Sequence, residues 1–391
     1  MNAEHRLRGY QNGEAICLQG EKAECIFILR AGKVGIFIHP TVAAPEIAEV
    51  LRAAMRVAVV ADAGSLIGEA GLFTECRGAS VLALEDGTVV EHLALRQEGL
   101  QKAMIEHPAL ALKICRGLAQ RLRNMTGAVR NYSLAADAVA RAVDRLAMEY
   151  AELLAEAAEV CRGQPAIKER LAALAQDELA KRGLAAKRHR NDTSSFFLQT
   201  ARHRSGTIRL STGDVLCEEG RPGRAIYFVR QGQLEVKVAN HIIGHIGPAE
   251  VVGEIAVLLH EMPKRSATVQ AAMPTVLAAV PMPDFFALAE KHPQVLVTIA
   301  KQLAQRLEMT NRLVCQQMHR GADIVAPLSG GSASCQAHFR KLAEILASVS
   351  SAESMAKRAL HAAGHATRLQ EEIFQTHRAL LAQPVSETGN T

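Results

Sequence analysis

Tryptophan is absent from this 391-residue chain, and aromatic residues make up only 4% of it. A single-stranded nucleic-acid surface built on stacking platforms needs exposed rings in number, so the composition argues against that class. The eight cysteines stand at positions 17, 25, 76, 115, 161, 217, 315 and 335, and no two form Cys-x-x-Cys. That spacing gives no zinc or dithiol motif, and scattered cysteines without a secretory signal read as reduced thiols in a cytosol. No metal site is expected. No run of about 18 apolar residues exists, which is what a membrane-spanning helix requires. The start, Met1-Asn2-Ala3-Glu4-His5-Arg6, carries charge with no apolar stretch behind it, unlike a signal peptide. A cytoplasmic location with no membrane contact is the expectation. Catalytic motifs are missing as well: no P-loop, no nucleophile elbow, no kinase motif set and no His-Glu-x-x-His. The 15 histidines are dispersed. No catalytic residue is assigned, and the chain is not expected to be an enzyme.

Against those absences stands an internal repeat. Gly13, Gly20 and Gly32 recur as Gly213, Gly220 and Gly232, offset by 200. Ile26-Phe27-Ile28-Leu29-Arg30-Ala31-Gly32 matches Ile226-Tyr227-Phe228-Val229-Arg230-Gln231-Gly232. Short β-type runs separated by glycine, which takes positive φ without steric cost, predict a small roll or jelly-roll barrel. Further on the offset is 185: Gly68-Glu69 matches Gly253-Glu254, and Leu118-Ala119-Gln120-Arg121-Leu122 matches Leu303-Ala304-Gln305-Arg306-Leu307. The difference lies between Gly32 and Gly68, which predicts an inserted loop or short helix around Pro45 to Leu51 in the first copy.

Each copy carries a cassette. The first is Ile67-Gly68-Glu69-Ala70-Gly71-Leu72-Phe73 with Arg77-Gly78-Ala79-Ser80-Val81 behind it. The second is Val252-Gly253-Glu254-Ile255-Ala256-Val257-Leu258, then Pro263-Lys264-Arg265-Ser266-Ala267-Thr268-Val269. Such a set suits a phosphate ligand. Arginine offers a planar fork of donors, a helix start offers free N–H groups, and glycine allows close approach. The carboxylate suits a ribose hydroxyl. The cassettes resemble those of the cyclic-nucleotide-binding domain family, which includes catabolite-activator-type regulators and regulatory subunits of cyclic-AMP-dependent kinase. The resemblance covers residues 8–126 and 207–311. It implies a cyclic nucleotide as regulatory ligand, cyclic AMP before cyclic GMP. It also implies that Glu69 and Glu254, beside Gly68 and Gly253, hold the ribose 2′-hydroxyl. Arg77 with Ala79 or Ser80, and Arg265 with Ser266 or Ala267, then hold the phosphate, with Ile255 and Ala256 beside them. Thr126 and Thr310, early on the following helices, are implied as base contacts. The spacing departs from the usual ten or eleven residues, with nine from Gly68 to Arg77 and twelve from Gly253 to Arg265. The second site is therefore expected to bind more tightly. An alternative stays open in which each Glu pairs with its own Arg and no ligand binds.

From Leu118 to Val160 apolar residues step by four and three, including Val129, Tyr132, Val143, Leu146, Tyr150 and Leu153. That is a coiled-coil-like seam, with Gly127 a point where the helix is open to a kink and Gly163-Gln164-Pro165 as its end. The expected use is a homodimer through the 118–160 helix; the other reading is a helix folded onto its own chain. A basic stretch follows, Lys181-Arg182 and Lys187-Arg188-His189-Arg190, then Arg202 and Arg204. Gln176 to Leu184 resembles faintly the first helix and turn of a helix-turn-helix, but no recognition-helix pattern follows, so DNA is not the expected partner. Past a hinge at Pro327 to Ser332, an Ala-rich amphipathic stretch from Phe339 to Leu380 is suited to docking on the chain itself or on an unidentified protein partner.

The expectation is thus an α+β chain with two cyclic-nucleotide-binding-type β-rolls, a long helical connector and C-terminal helices. The segments are 1–126 for the first roll, 127–206 for connector and basic linker, 207–322 for the second roll, and 323–391 for hinge, helix and tail. Its function is read as that of a regulator coupling ligand capture to helix movement. The alternatives are a catabolite-activator-type transcription regulator and a ligandless scaffold.

Overall fold

The structure is a computed structural model that describes residues 5–39, 43–189, 206–259, 264–325 and 334–382. Pro263, most of the basic linker, the Pro327 hinge and the tail after 382 lie outside the described residues.

Glycines at left-handed φ set the turns of the first roll, with Gly13, Gly20 and Gly32 at φ 82°, 84° and 85°. Between them run β1 (His5–Tyr10), β2 (Ala15–Cys17), β3 (Cys25–Ala31) and β4 (Val34–Ile38), followed by β5 (Met55–Val60), β6 (Leu66–Ile67), β7 (Ser80–Ala83) and β8 (Thr88–Ala94). These form two antiparallel four-stranded sheets, ordered β1-β8-β3-β6 and β2-β7-β4-β5. The second roll repeats the plan with β9 (Gly206–Leu210), β10 (Val215–Cys217), β11 (Ala225–Gln231), β12 (Leu234–Val238), β13 (His241–Ile246), β14 (Val251–Val252), β15 (Thr268–Ala271) and β16 (Thr275–Pro281). Its sheets run β9-β16-β11-β14 and β10-β15-β12-β13. Inward residues from both sheets meet in each core: Phe27, Leu29, Val34 and Val90 in one, Tyr227, Val229, Leu234 and Leu277 in the other.

The insertion falls where the offset change put it. In the second roll β12 and β13 join through Ala239-Asn240, both at positive φ, as a tight hairpin turn with right-handed strand twist requires. In the first roll the same connection runs from Ile38 to Met55 and contains α1 (Ile47–Ala53), closed at its start by a Glu46–Glu49 capping box.

Short helices enter each cassette, α2 (Glu69–Thr74) and, in the second roll, α7 (Glu254–Leu258). After the first roll come α3 (Gln97–Glu106) and α4 (Pro108–Val160), then α5 (Pro165–Leu174) and α6 (Glu178–His189). After the second come α8 (Met282–Lys291), α9 (Gln294–Val325), α10 (Cys335–Ala347) and α11 (Glu353–Ala382). Gly127 does not interrupt α4, which is one helix of 53 residues. The chain divides into two compact units. The two rolls with residues up to 131 and 198–316 form one; 132–197 and 317–382 form the other. The connector and the C-terminal helices thus belong to one helical unit.

That unit changes the reading of the seam. Val143, Leu146, Tyr150 and Leu153 of α4 are buried in a core shared with Phe339, Leu342, Ala356 and Ala359 of α10 and α11. The seam is covered by the chain's own helices, so the homodimer expected through 118–160 loses this surface as its basis. The apolar face of the C-terminal helices is occupied in the same core. Gly183 lies inside α6 and not in a turn, contrary to the helix-turn-helix likeness. A Cβ there would stand 2.1 Å from the Ala147 carbonyl oxygen, so α6 crosses α4 at a distance only glycine permits. Ala180-Lys181-Arg182-Gly183-Leu184 of α6 recurs in α11 as Ala356-Lys357-Arg358-Ala359-Leu360. Both arginines reach α4: Arg182 Nε lies 2.7 Å from Asp144 and Arg358 Nη1 2.6 Å from Glu156.

Replacing Val143 and Leu146 together with Glu is expected to unfold the helical unit, because two carboxylates would enter an apolar core without partners. Circular dichroism should show loss of helix at a lower denaturant concentration; an intact helical signal with only a change of molecular mass would return the seam to an intermolecular role.

Candidate ligand-binding site

Both cassettes build the same clamp. Gly68 and Gly253 precede their helices at φ 82° and 85°, a conformation open to glycine at low cost. A Cβ on Gly253 would meet Arg265 Nη1 at 2.3 Å, and one on Gly68 would meet Arg77 Nη1 at 2.5 Å. The bare glycine lets the guanidinium come under the turn. Arg77 donates to the Gly68 carbonyl at 2.7 Å and to the Cys25 carbonyl at 2.7 Å. Arg265 donates to the Gly253 and Ala225 carbonyls, both at 2.9 Å. Each also lies over a ring, Arg77 on Phe27 and Arg265 on Tyr227. Both arginines are buried, at 5% and 6% exposure.

The glutamates do not pair with these arginines, so the internal Glu–Arg pairing considered from sequence is not what forms. Glu254 pairs with Arg306 of α9 at 2.9 Å, and Glu69 pairs with Arg121 of α4. Arg306 also donates to the Val251 carbonyl at 2.6 Å. Sequence reasoning gives Arg121 and Arg306 no role, although they are the charged members of the repeated Leu-Ala-Gln-Arg-Leu pentad, which is the signal that points to them. The pentad places a cation one helix away from a buried carboxylate in both rolls.

The two sites differ in the space they enclose. The second cavity is about 480 Å³, and Gly253, Glu254, Ile255, Ala256, Arg265 and Ser266 are all in its wall. Ala267 and Thr310 line it too. The first is about 110 Å³; Gly68, Arg77 and Ala79 line it, but Glu69 and Ser80 do not. Small-molecule pockets usually enclose about 300–1,000 Å³, so the second falls in that range and the first below it. Ser80 Oγ accepts the Gln19 N–H at 2.9 Å, tying the turn to the strand, as Thr268 Oγ1 does for Glu219 at 3.0 Å. Thr126 is also corrected: it lines the second cavity, not that of its own roll. Cys17 and Cys217 occupy equivalent wall positions. Burial pushes the Cys17 thiol up to about 12 and raises that of Cys217, so both remain neutral, apolar surface. Among the described residues no cluster of His, Cys, Asp and Glu has the makings of a metal site. Among them also, no helix is long and apolar enough to cross a membrane.

Fold and clamp together define a protein with two β-rolls, each with a glycine-gated arginine under a short helix. Residues 7–107 and 207–292 match the family described as "Cyclic nucleotide-binding domain", so two segments of the chain, one in each roll, are similar to that domain. Among curated proteins, "Pycsar effector protein PaPycTIR" of Pseudomonas aeruginosa is 35% identical over 110 residues, 28% of this chain and 35% of that protein. "Pycsar effector protein XpPycTIR" of Xanthomonas perforans is 34% identical over 116 residues, 30% of this chain and 36% of that one. The match thus spans about a third of these relatives' length. Of solved structures, "cAMP bound PfPKA-R" is 13% identical across 84% of this chain and 83% of its own, with a TM-score of 0.22.

Removing Arg306 would leave Glu254 buried without its cation, which commonly costs about 3–5 kcal/mol. R306M should therefore destabilise strongly, and E254Q combined with R306M should recover part of the loss. A double-mutant cycle by urea denaturation reads this coupling; additive effects would mean the pair contributes nothing.

Proposed function

We propose that this chain is a cytoplasmic, non-catalytic regulator that binds a cyclic nucleotide, cyclic AMP before cyclic GMP, and passes the event to a partner through its helices. The carrying observation is the second cavity, where Glu254, Arg265, Ser266 and Thr310 converge in a space of small-ligand size. A cyclic phosphate sits naturally between a guanidinium and a serine hydroxyl, and a ribose 2′-hydroxyl is a donor for a buried carboxylate. Arg306 shares that carboxylate, so a ribose at Glu254 competes with or reinforces the bond that anchors α9. That is how a ligand in the roll would bias the position of a helix, provided it binds the two arrangements with different affinity. The preference for cyclic AMP rests on the resemblance to catabolite activators and on threonine in the wall. The family match and the Pycsar relatives support ligand sensing in general.

Isothermal calorimetry of the full chain with cyclic AMP, GMP, CMP and UMP tests the reading. Binding of at least one of them is expected, and R265E should abolish it by placing like charge beside the phosphate. R265K is the milder check: it keeps the charge, loses the fork, and should weaken binding about tenfold or more. Failure of all four nucleotides to bind would favour the ligandless scaffold.

A further inference from the structure

The walls of the two cavities are not built by one roll each. α4 follows the first roll, yet its Leu122 and Thr126 line the second cavity. α9 follows the second, yet its Ala304, Leu307 and Asn311 line the first. The two helices lie close enough for the Cys115 thiol to donate to the Leu296 carbonyl at 3.2 Å. Arg130 of α4 reaches Glu219 of the second roll at 2.8 Å. Aligning the copies by their Arg121 and Arg306 pentads shows what each cavity receives. Four residues past the arginine stand Met125 in the first copy and Thr310 in the second; five past stand Thr126 and Asn311. In the cassettes, Gly78 stands where the second copy has Ser266.

The result is unequal. The second cavity collects three hydroxyls, from Ser266, Thr310 and, across the rolls, Thr126. The first gets Gly78, Met125 and Asn311 at those places, within about 110 Å³ and without Glu69 in its wall. Thr126 Oγ1 donates to the Leu122 carbonyl at 2.7 Å and Thr310 Oγ1 to the Arg306 carbonyl at 2.7 Å. With their protons engaged, both hydroxyls offer lone pairs, which suit an exocyclic amine on a base.

We infer that the chain holds one cyclic-nucleotide site and not two, and that this site is composite: the first roll has lost its own ligand site and supplies Thr126 to the second. The inference rests on the cyclic-nucleotide reading of the second cavity. A ligand there touches both α4 and α9, so it joins the two rolls, and the first roll's contribution is a wall rather than a second binding event.

The test is calorimetry of the full chain with cyclic AMP. One equivalent per chain is expected. T126V keeps the side-chain shape and removes the oxygen; it should bind about tenfold more weakly, the loss typical of one hydrogen bond. T126S restores the oxygen and should return most of the affinity. Matching ligand-free melting curves for the three proteins exclude misfolding. Two equivalents of ligand, or a T126V affinity equal to wild type while R265E binds nothing, would overturn the composite site and leave the cyclic-nucleotide reading standing. Where cyclic AMP does not bind, the same titrations use whichever of cyclic GMP, CMP and UMP does; no binding of any of the four by the wild-type chain would overturn both.

Discussion

A buried guanidinium must be met by oxygens or rings on every side, and the way Arg77 and Arg265 are met organises each roll. The left-handed glycine turns its carbonyl onto the arginine and removes the side chain that would collide with it. The strand opposite supplies a second carbonyl, and an aromatic ring on that strand faces the cation. Three pieces distant in sequence are held by one side chain: the helix turn, the loop before β7 or β15, and the edge of β3 or β11. Because burial of an unpaired charge costs several kcal/mol, these pieces cannot separate independently. A cation held this way also has its position settled before any ligand arrives, which is preorganisation in the strict sense.

The second constraint is the carboxylate beside it. Glu254 and Glu69 are almost fully buried, and each needs a cation that its own cassette has already committed elsewhere. Arg306 and Arg121 supply it from the helix that follows the roll. The link between sheet and helix is therefore electrostatic as well as apolar. In the first roll Glu69 Oε2 has no hydrogen-bond partner among the described residues, which marks that pair as the less completely satisfied of the two.

Much of this was legible in the residues because it depends on local backbone chemistry. Positive φ at Gly13, Gly20, Gly32 and their partners leaves glycine as the low-cost choice, so the turns repeat visibly; the insertion announced itself as a change of offset. The cassettes were legible for the same reason. What could not be read was the identity of the surface opposite each helix. The stripe from Leu118 to Val160 says that a face is apolar, and it reads the same whether a second chain or α10 and α11 cover it. Thr126 was misplaced because sequence proximity put it beside the first cassette, whereas the helix it sits on has one side in each cavity. Nor does the sequence show that Ser80 ties its turn to the strand by accepting the Gln19 N–H, a bond that depends on the fold.

The duplication accounts for both the likeness and the inequality of the halves. Two copies of a roll that each ended in an arginine-bearing helix have their helices shared across one unit, so the residues near each pentad are divided between the two cavities. Met125 removes a hydroxyl from the first cavity, while Thr126, the next residue along, gives one to the second. Adjacent positions on α4 thereby serve opposite sites, and the same holds for Thr310 and Asn311 on α9. The balance of groups differs accordingly: the larger holds three hydroxyls and three carboxylates in its wall, and the smaller joins Arg77, Arg121, Asn124 and Asn311 to the apolar Ile67, Met125, Ala304 and Leu307.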